Sequence, residues 1–198
     1  QKGLAVFARL EALTIPTVAL IDGFCMGGGY ELALACTYRI ASDAQNTRIG
    51  LPEVMLGFHP GWGGTVRLPH LIGGFNALSQ VMLSGRAHVG KKAKQLGMID
   101  EVVPVRQLKR TATYFIKNTP KKHKPSFLAS LSNNVWVRKP LAALLRSQVA
   151  KQVRKEHYPA PYAMINLWEK EYALSERAYL KETDSVEQLV TQDKTSEN

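Results

Sequence analysis

At 198 residues, 45% of them apolar and 21% charged, the chain can bury a real core in one or two domains and reads as soluble and globular. Charges or prolines interrupt every apolar run, which excludes a membrane-spanning segment. A net charge of +10, from 26 basic and 16 acidic residues, favours anionic partners.

The opening QKGLAVFARLEAL places Leu4, Phe7, Leu10 and Leu13 at helical spacing and has no apolar core or cleavage site of a signal peptide. It reads as the middle of a helix, and so as a fragment of a longer protein. Thr14-Ile15-Pro16 stops that helix. TVALIDG (17–23) predicts a short strand buried on both faces, FCMGGG a glycine turn, and YELALACTYRIA a helix leading into a second strand at Tyr38–Ala41. SDAQNTRIGLPE (42–53) reads as a polar loop, a short strand and a turn. A second glycine-rich loop, GFHPGWGGT (57–65), precedes a helix. Further helices are expected within Leu71–Ser84 and over Gly90–Leu96, the latter stopped by Gly97. MIDEVVP (98–104) is the last clear strand.

Beyond Pro104 the texture changes. Residues 105–118 predict a helix and NTPKKHKPS (118–126) a basic, proline-bearing linker. Pro140 is expected to start a helix with Leu141, Leu144, Leu145 and Val149 on one face, and another helix begins near Pro161. The reading is an α/β unit over 1–118 followed by a helical region over 119–198 whose last residues, TQDKTSEN, fray. The basic cluster of Arg106, Lys109, Arg110, Lys117, Lys121, Lys122 and Lys124 reads as a solvated helix face and loop. With no zinc-finger spacing, aromatic platform or recognition helix, nucleic acid is not the expected partner. Cys25 and Cys36 lack metal or redox spacing and read as two buried, reduced thiols.

The chemistry concentrates in Met26-Gly27-Gly28-Gly29-Tyr30-Glu31, between a strand and a helix. Three glycines let backbone approach a ligand where any Cβ would intrude. The helix behind them points its unbonded N–H groups and positive end at that space, which suits a phosphate or an enolate oxygen. The run matches neither a P-loop nor a dinucleotide fingerprint. Alone, it also suits a tightly packed strand–helix turn, and Glu31 alone suits a helix dipole. Glu53, in Gly50-Leu51-Pro52-Glu53 and followed by Val54-Met55-Leu56, changes the weighing. A carboxylate among apolar groups has a raised pKa, as a proton donor needs. Two carboxylates beside an oxyanion site suit proton transfer next to a polarised carbonyl. His59, Phe58 and Trp62 are weaker candidates for an acyl pocket, and Lys91, Lys92 and Lys94 for phosphate contacts; a loop histidine, aromatic packing and a solvated helix face explain them as well.

The strings IDGFCMGGGYELALACTYRIA, IGLPEVMLGFHPGWGGTVRLPHLIG and LSGRAHVGKKAKQLGMIDEVVP closely resemble the enoyl-CoA hydratase/isomerase (crotonase) family over roughly residues 1–118. The resemblance implies a spiral of ββα turns, of which this chain holds the later ones. It makes Gly28, flanked by Gly27 and Gly29, an oxyanion donor to a thioester carbonyl, and Glu31 and Glu53 the catalytic carboxylates. Pro52 and Gly61 join the glycines as substrate-binding positions. Family members carry a further roughly 80–90 residues upstream, about half a domain, which hold the second oxyanion donor and much of the CoA surface.

The linker and KEHYPAP (155–161) are similar to the segment that joins hydratase to dehydrogenase in multifunctional fatty acid oxidation α subunits. On that resemblance the expected reaction is hydration of trans-2-enoyl-CoA in β-oxidation, with double-bond isomerisation. Another acyl-CoA reaction of the family (hydrolysis or decarboxylation) and a non-catalytic assembly role are the alternatives; the two glutamates argue against the first. No cofactor or metal is expected, since coenzyme A is part of the substrate and NAD would serve only a dehydrogenase domain in the parent. The partners implied are acyl-CoA, a second copy or a thiolase subunit. The cytoplasm is the expected location, with the mitochondrial matrix as the alternative.

Overall fold

The computed structural model describes residues 2–195, with side chains through Thr191. Helix α1 (Lys2–Glu11) leads into strand β1 (Val18–Ile21), β2 (Phe24–Met26) and helix α2 (Gly28–Ala35). The same order recurs in β3 (Tyr38–Ser42) and β4 (Arg48–Gly50), followed by a 3-10 turn (Glu53–Leu56) and α3 (Gly64–Ile72). Then come α4 (Gly74–Asn76), α5 (Gly90–Leu96), β5 (Glu101–Val103) and α6 (Leu108–Asn118). Helices α7 (Phe127–Leu131), α8 (Val135–Ala150), α9 (Ala160–Glu171) and α10 (Glu176–Thr195) complete the described chain.

Each ββα turn gives one strand to each of two parallel sheets. The first has the order β1-β3-β5, with Val18 opposite Tyr38 and Ile40 opposite Glu101; the second pairs β2 with β4, Cys25 opposite Ile49. Parallel neighbours need a crossover, and the intervening helix supplies it. This is the α/β spiral expected from the sequence, with helices after it.

Several expectations need correction. FCM is not part of a glycine turn but strand β2, because its backbone has a partner in Arg48–Gly50; the turn is reduced to Gly27, between β2 and α2. Strand β1 is not buried on both faces: Leu20 is 43% exposed, since β1 lies at the edge of its sheet while the central β3 is buried along its whole length. Helix α8 starts not at Pro140 but at Val135, where the Asn134 side chain caps the Trp136 amide at 2.9 Å, and Pro140 lies inside the helix. Leu144 turns outward on it, whereas Leu145 is buried. Within Leu71–Ser84 the helix widens after α4 into a π-helical turn (Ala77–Met82), with Leu83 N–H bonded to Leu78 O at 2.9 Å. Helix α10 runs through Thr195, and residues 196–198 of the expected frayed end, TQDKTSEN, lie outside the described residues.

One apolar core spans the sequence, joining Ile21, Tyr30, Ile49, Leu68, Leu78 and Met98 to Leu145, Met164, Ile165 and Trp168 from beyond the basic linker. Trp168 and the start of α4 meet on one side chain, Asn133, whose Oδ1 accepts from Trp168 Nε1 (3.1 Å) and Gly74 N–H (2.9 Å). No helix among the described residues is long and apolar enough to cross a membrane. Cys25 is buried, which pushes its thiol up to about 11; Cys36 is only half-buried, just past the end of α2.

Candidate active site

Helix α2 holds the first part of the site. Its Tyr30 is fully buried and donates to Met98 O at 2.9 Å, which fixes the helix against the β5 turn. Intrahelical bonding begins with Tyr30 and Glu31, both donating to Gly27 O. The Gly28 and Gly29 amides therefore precede the first bonded turn, where a helix leaves donors for a ligand. Two glycines are required by geometry here. Gly27 adopts φ 56°, and a Cβ on it would lie 3.2 Å from Glu53 Oε1; a Cβ on Gly28 would lie 2.6 Å from Trp62 Cζ3.

A cavity of about 430 Å³ opens at this helix end, lined by Met26, Gly27, Gly28, Glu31, Pro52, Glu53, Leu56, Phe58, His59, Gly61, Trp62 and Val186. It gathers both candidate carboxylates, two of the three glycines, Pro52 and Gly61; Gly29 falls outside the lining. His59, Phe58 and Trp62 join them, whereas Lys91, Lys92 and Lys94 stand exposed on α5, Lys94 paired with Glu101.

The two carboxylates occupy different environments. Glu31 Oε1 accepts from the Trp62 and Gly64 amides, each at 2.8 Å. Burial raises its pKa, while these two bonds and the Arg67 charge pull the other way and favour the anion. Glu53 Oε2 is buried with no hydrogen-bond partner among the described residues. Burial, aided by the charge of Glu31, pushes Glu53 up to about 7. Two amides thus favour the ionised form of Glu31 against its burial, whereas Glu53 can hold or release a proton near neutrality.

Sequence reasoning missed the next layer. Glu182 is fully buried on α10. Its Oε2 accepts from Gly63 N–H (2.6 Å), and its Oε1 from the Thr65 amide (2.8 Å) and hydroxyl (2.6 Å). Burial and the neighbouring Glu31 push its pKa up, while the three donors on its two oxygens favour the anion. Arg67, also buried, donates to Trp62 O at 2.9 Å and bonds Glu11 through Nε and Nη2. His59 is fully buried; its Nδ1 lies 2.7 Å from Pro60 O and its Nε2 2.8 Å from Ser185 Oγ. Burial holds it down to about 4, so the ring is neutral at pH 7. The signal for Glu182 was periodic: Ala178, Glu182, Ser185 and Leu189 share one stripe of α10.

The profile of the enoyl-CoA hydratase/isomerase family matches residues 1–158. The chain belongs to that family. A fatty acid oxidation complex subunit alpha of Shewanella frigidimarina is 42% identical over 169 residues, covering 84% of this chain and 24% of that protein. Its counterpart in Shewanella sp. strain MR-4 is 44% identical over 172 residues, with the same shares. The chain thus spans about a quarter of the length of these relatives. Among solved structures, an enoyl-CoA hydratase of Bacillus anthracis matches with a TM-score of 0.55 and 27% identity, over 98% of this chain and 64% of that one. An enoyl-CoA hydratase of Mycobacterium paratuberculosis matches with a TM-score of 0.57 and 26% identity, over 93% of this chain and 67% of that one. Membership of the hydratase/isomerase family and the parallel ββα turns are therefore two agreeing observations.

Proposed function

We propose that this chain hydrates a trans-2-enoyl-CoA to the 3-hydroxyacyl-CoA, and that Glu31 and Glu53 are its catalytic residues. One observation carries the reading: two buried carboxylates share a cavity at a helix N-terminus, one held by two amides and the other with a buried oxygen that has no partner among the described residues.

The thioester carbonyl takes its place at the Gly28 amide, which stabilises the negative charge that develops on its oxygen. Glu31, whose ionised form the Trp62 and Gly64 amides stabilise, accepts a proton from water as the water oxygen bonds to C3. Glu53 supplies the proton that completes C2. Water is consumed, its oxygen ends on C3, and the glutamates return to their starting states by exchanging the remaining proton with solvent. Isomerisation needs only removal of a proton from one allylic carbon and its return to the other, which Glu53 can perform alone. The length of the relatives makes a larger fatty acid oxidation subunit the expected parent, and a thiolase subunit or a second copy its partners.

Incubation with a short trans-2-enoyl-CoA in water enriched in oxygen-18 tests the proposal. Label on C3 of a 3-hydroxyacyl-CoA supports it. Free acid and free CoA as the products would assign a hydrolase instead.

A further inference from the structure

Four consecutive amides at the start of α3 donate alternately to two carboxylates. Trp62 and Gly64 donate to Glu31, whereas Gly63 and Thr65 donate to Glu182. Helix α3 has no capping side chain of its own, so these distant glutamates satisfy the amides that its first turn leaves unbonded. Because each peptide plane is shared by adjacent residues, the planes that hold Glu31 cannot rotate without disturbing those that hold Glu182.

A residue serving only to dock α10 would not need to be a carboxylate. Full burial of an acid is costly, and an apolar or amide side chain of similar size would pack a helix with less penalty. What the site demands is acceptor capacity on both oxygens: the three groups facing Glu182 are the Gly63 amide, the Thr65 amide and the Thr65 hydroxyl. Among side chains of this length, only a carboxyl group offers two acceptor oxygens to such a set. The same helix places Val186 in the cavity wall and Ser185 against His59, so α10 is also fixed to the site one turn beyond the Glu182 contact.

We propose that Glu182 is a positioning residue for Glu31, setting the Trp62–Thr65 backbone so that two of its amides converge on the catalytic carboxylate. This rests on the hydration reading for its kinetic consequence but not for its structural one. In Glu182→Gln the amide group presents –NH2 to one of the donors, and the loop must turn away.

Two readouts on the whole chain test the proposal: hydrogen exchange and proton shifts of the Trp62 and Gly64 amides, and the kcat and KM of enoyl-CoA hydration. The expected result is faster exchange and altered shifts at Trp62 and Gly64, not only at Gly63 and Thr65. A misplacement of about 1 Å should lower kcat on the order of 100-fold, with KM little changed. Thr65→Val, which removes only the hydroxyl donor, should fold and move the same amides less, with a smaller loss of kcat; it decides the matter if Glu182→Gln does not fold. Changes confined to Gly63 and Thr65, with kcat unaltered, overturn the proposal. If the unmodified chain shows no hydration, it is the functional reading that fails, and the amide readout still decides the role of Glu182.

Discussion

Replacing Gly28 with alanine should have opposite effects on stability depending on what stands at position 62. The added Cβ would lie 2.6 Å from Trp62 Cζ3 and 2.8 Å from Cε3, about 1 Å inside ordinary carbon contact. The indole is 46% exposed, but two groups limit its retreat. Phe7 meets it edge-on with ring centroids 5.7 Å apart, and Gly3 backs onto it so closely that a Cβ there would lie 3.1 Å away. Overpacking of this kind costs about 1–3 kcal/mol, or roughly 2–4 °C in Tm per kcal/mol for a chain of this size. With Trp62 shortened to alanine the clash is gone. The Gly28→Ala change should then stabilise by about 0.4–1 kcal/mol, because Gly28 lies in the helix at an ordinary φ and alanine narrows the unfolded ensemble. Thermal unfolding of both single variants and the double variant gives the coupling directly. If Gly28→Ala costs the same with and without the indole, the packing argument is wrong.

The raised pKa of Glu53 makes stability depend on pH in a direction that can be isolated. Between the ordinary carboxyl value of 4.5 and about 7, the folded chain keeps a proton that the unfolded chain releases, so this contribution is complete below 4.5 and lost as the pH rises through 7. Glu53→Gln mimics the protonated acid. Denaturant titration should find it equal to the parent at pH 4.5 and more stable by about 3 kcal/mol at pH 8; no difference at either pH would refute the shift. Taking the difference removes His59, whose depressed pKa acts the opposite way below 6.5. The Asp100 side chain is 7% exposed and accepts from Arg39 N–H (2.8 Å) and Nη2 (3.0 Å). Asp100→Asn should cost about 3–5 kcal/mol by stranding the guanidinium, without changing the KM of the folded fraction, as equilibrium unfolding and steady-state kinetics can check.

The local part of this site was legible in the sequence because it is local. Gly27, Gly28 and Glu31 share one strand–helix junction, and Glu53 follows a single short strand, so composition and spacing point to them. Helix α5 was equally readable, since Gly97 stops it in the left-handed conformation. What escaped is long-range. Glu182 lies 117 residues from Thr65, and nothing near it in sequence says that its partners will be backbone amides. Strand β2 escaped because three residues beside a glycine run read as a turn until their ladder partner is known. The exposure of β1 is likewise set by its place at a sheet edge, which a run of apolar residues does not encode.

The central claim is that Glu53 exchanges the proton at the substrate's carbon. Loss of enoyl-thioester absorbance with a short trans-2-enoyl-CoA tests it most directly, comparing this chain with Glu53→Gln at pH 7. The account predicts that the variant folds, keeps its KM and loses about 100- to 10,000-fold in kcat, the usual worth of a positioned acid or base. A folded Glu53→Gln that turns over at the rate of the parent would contradict it.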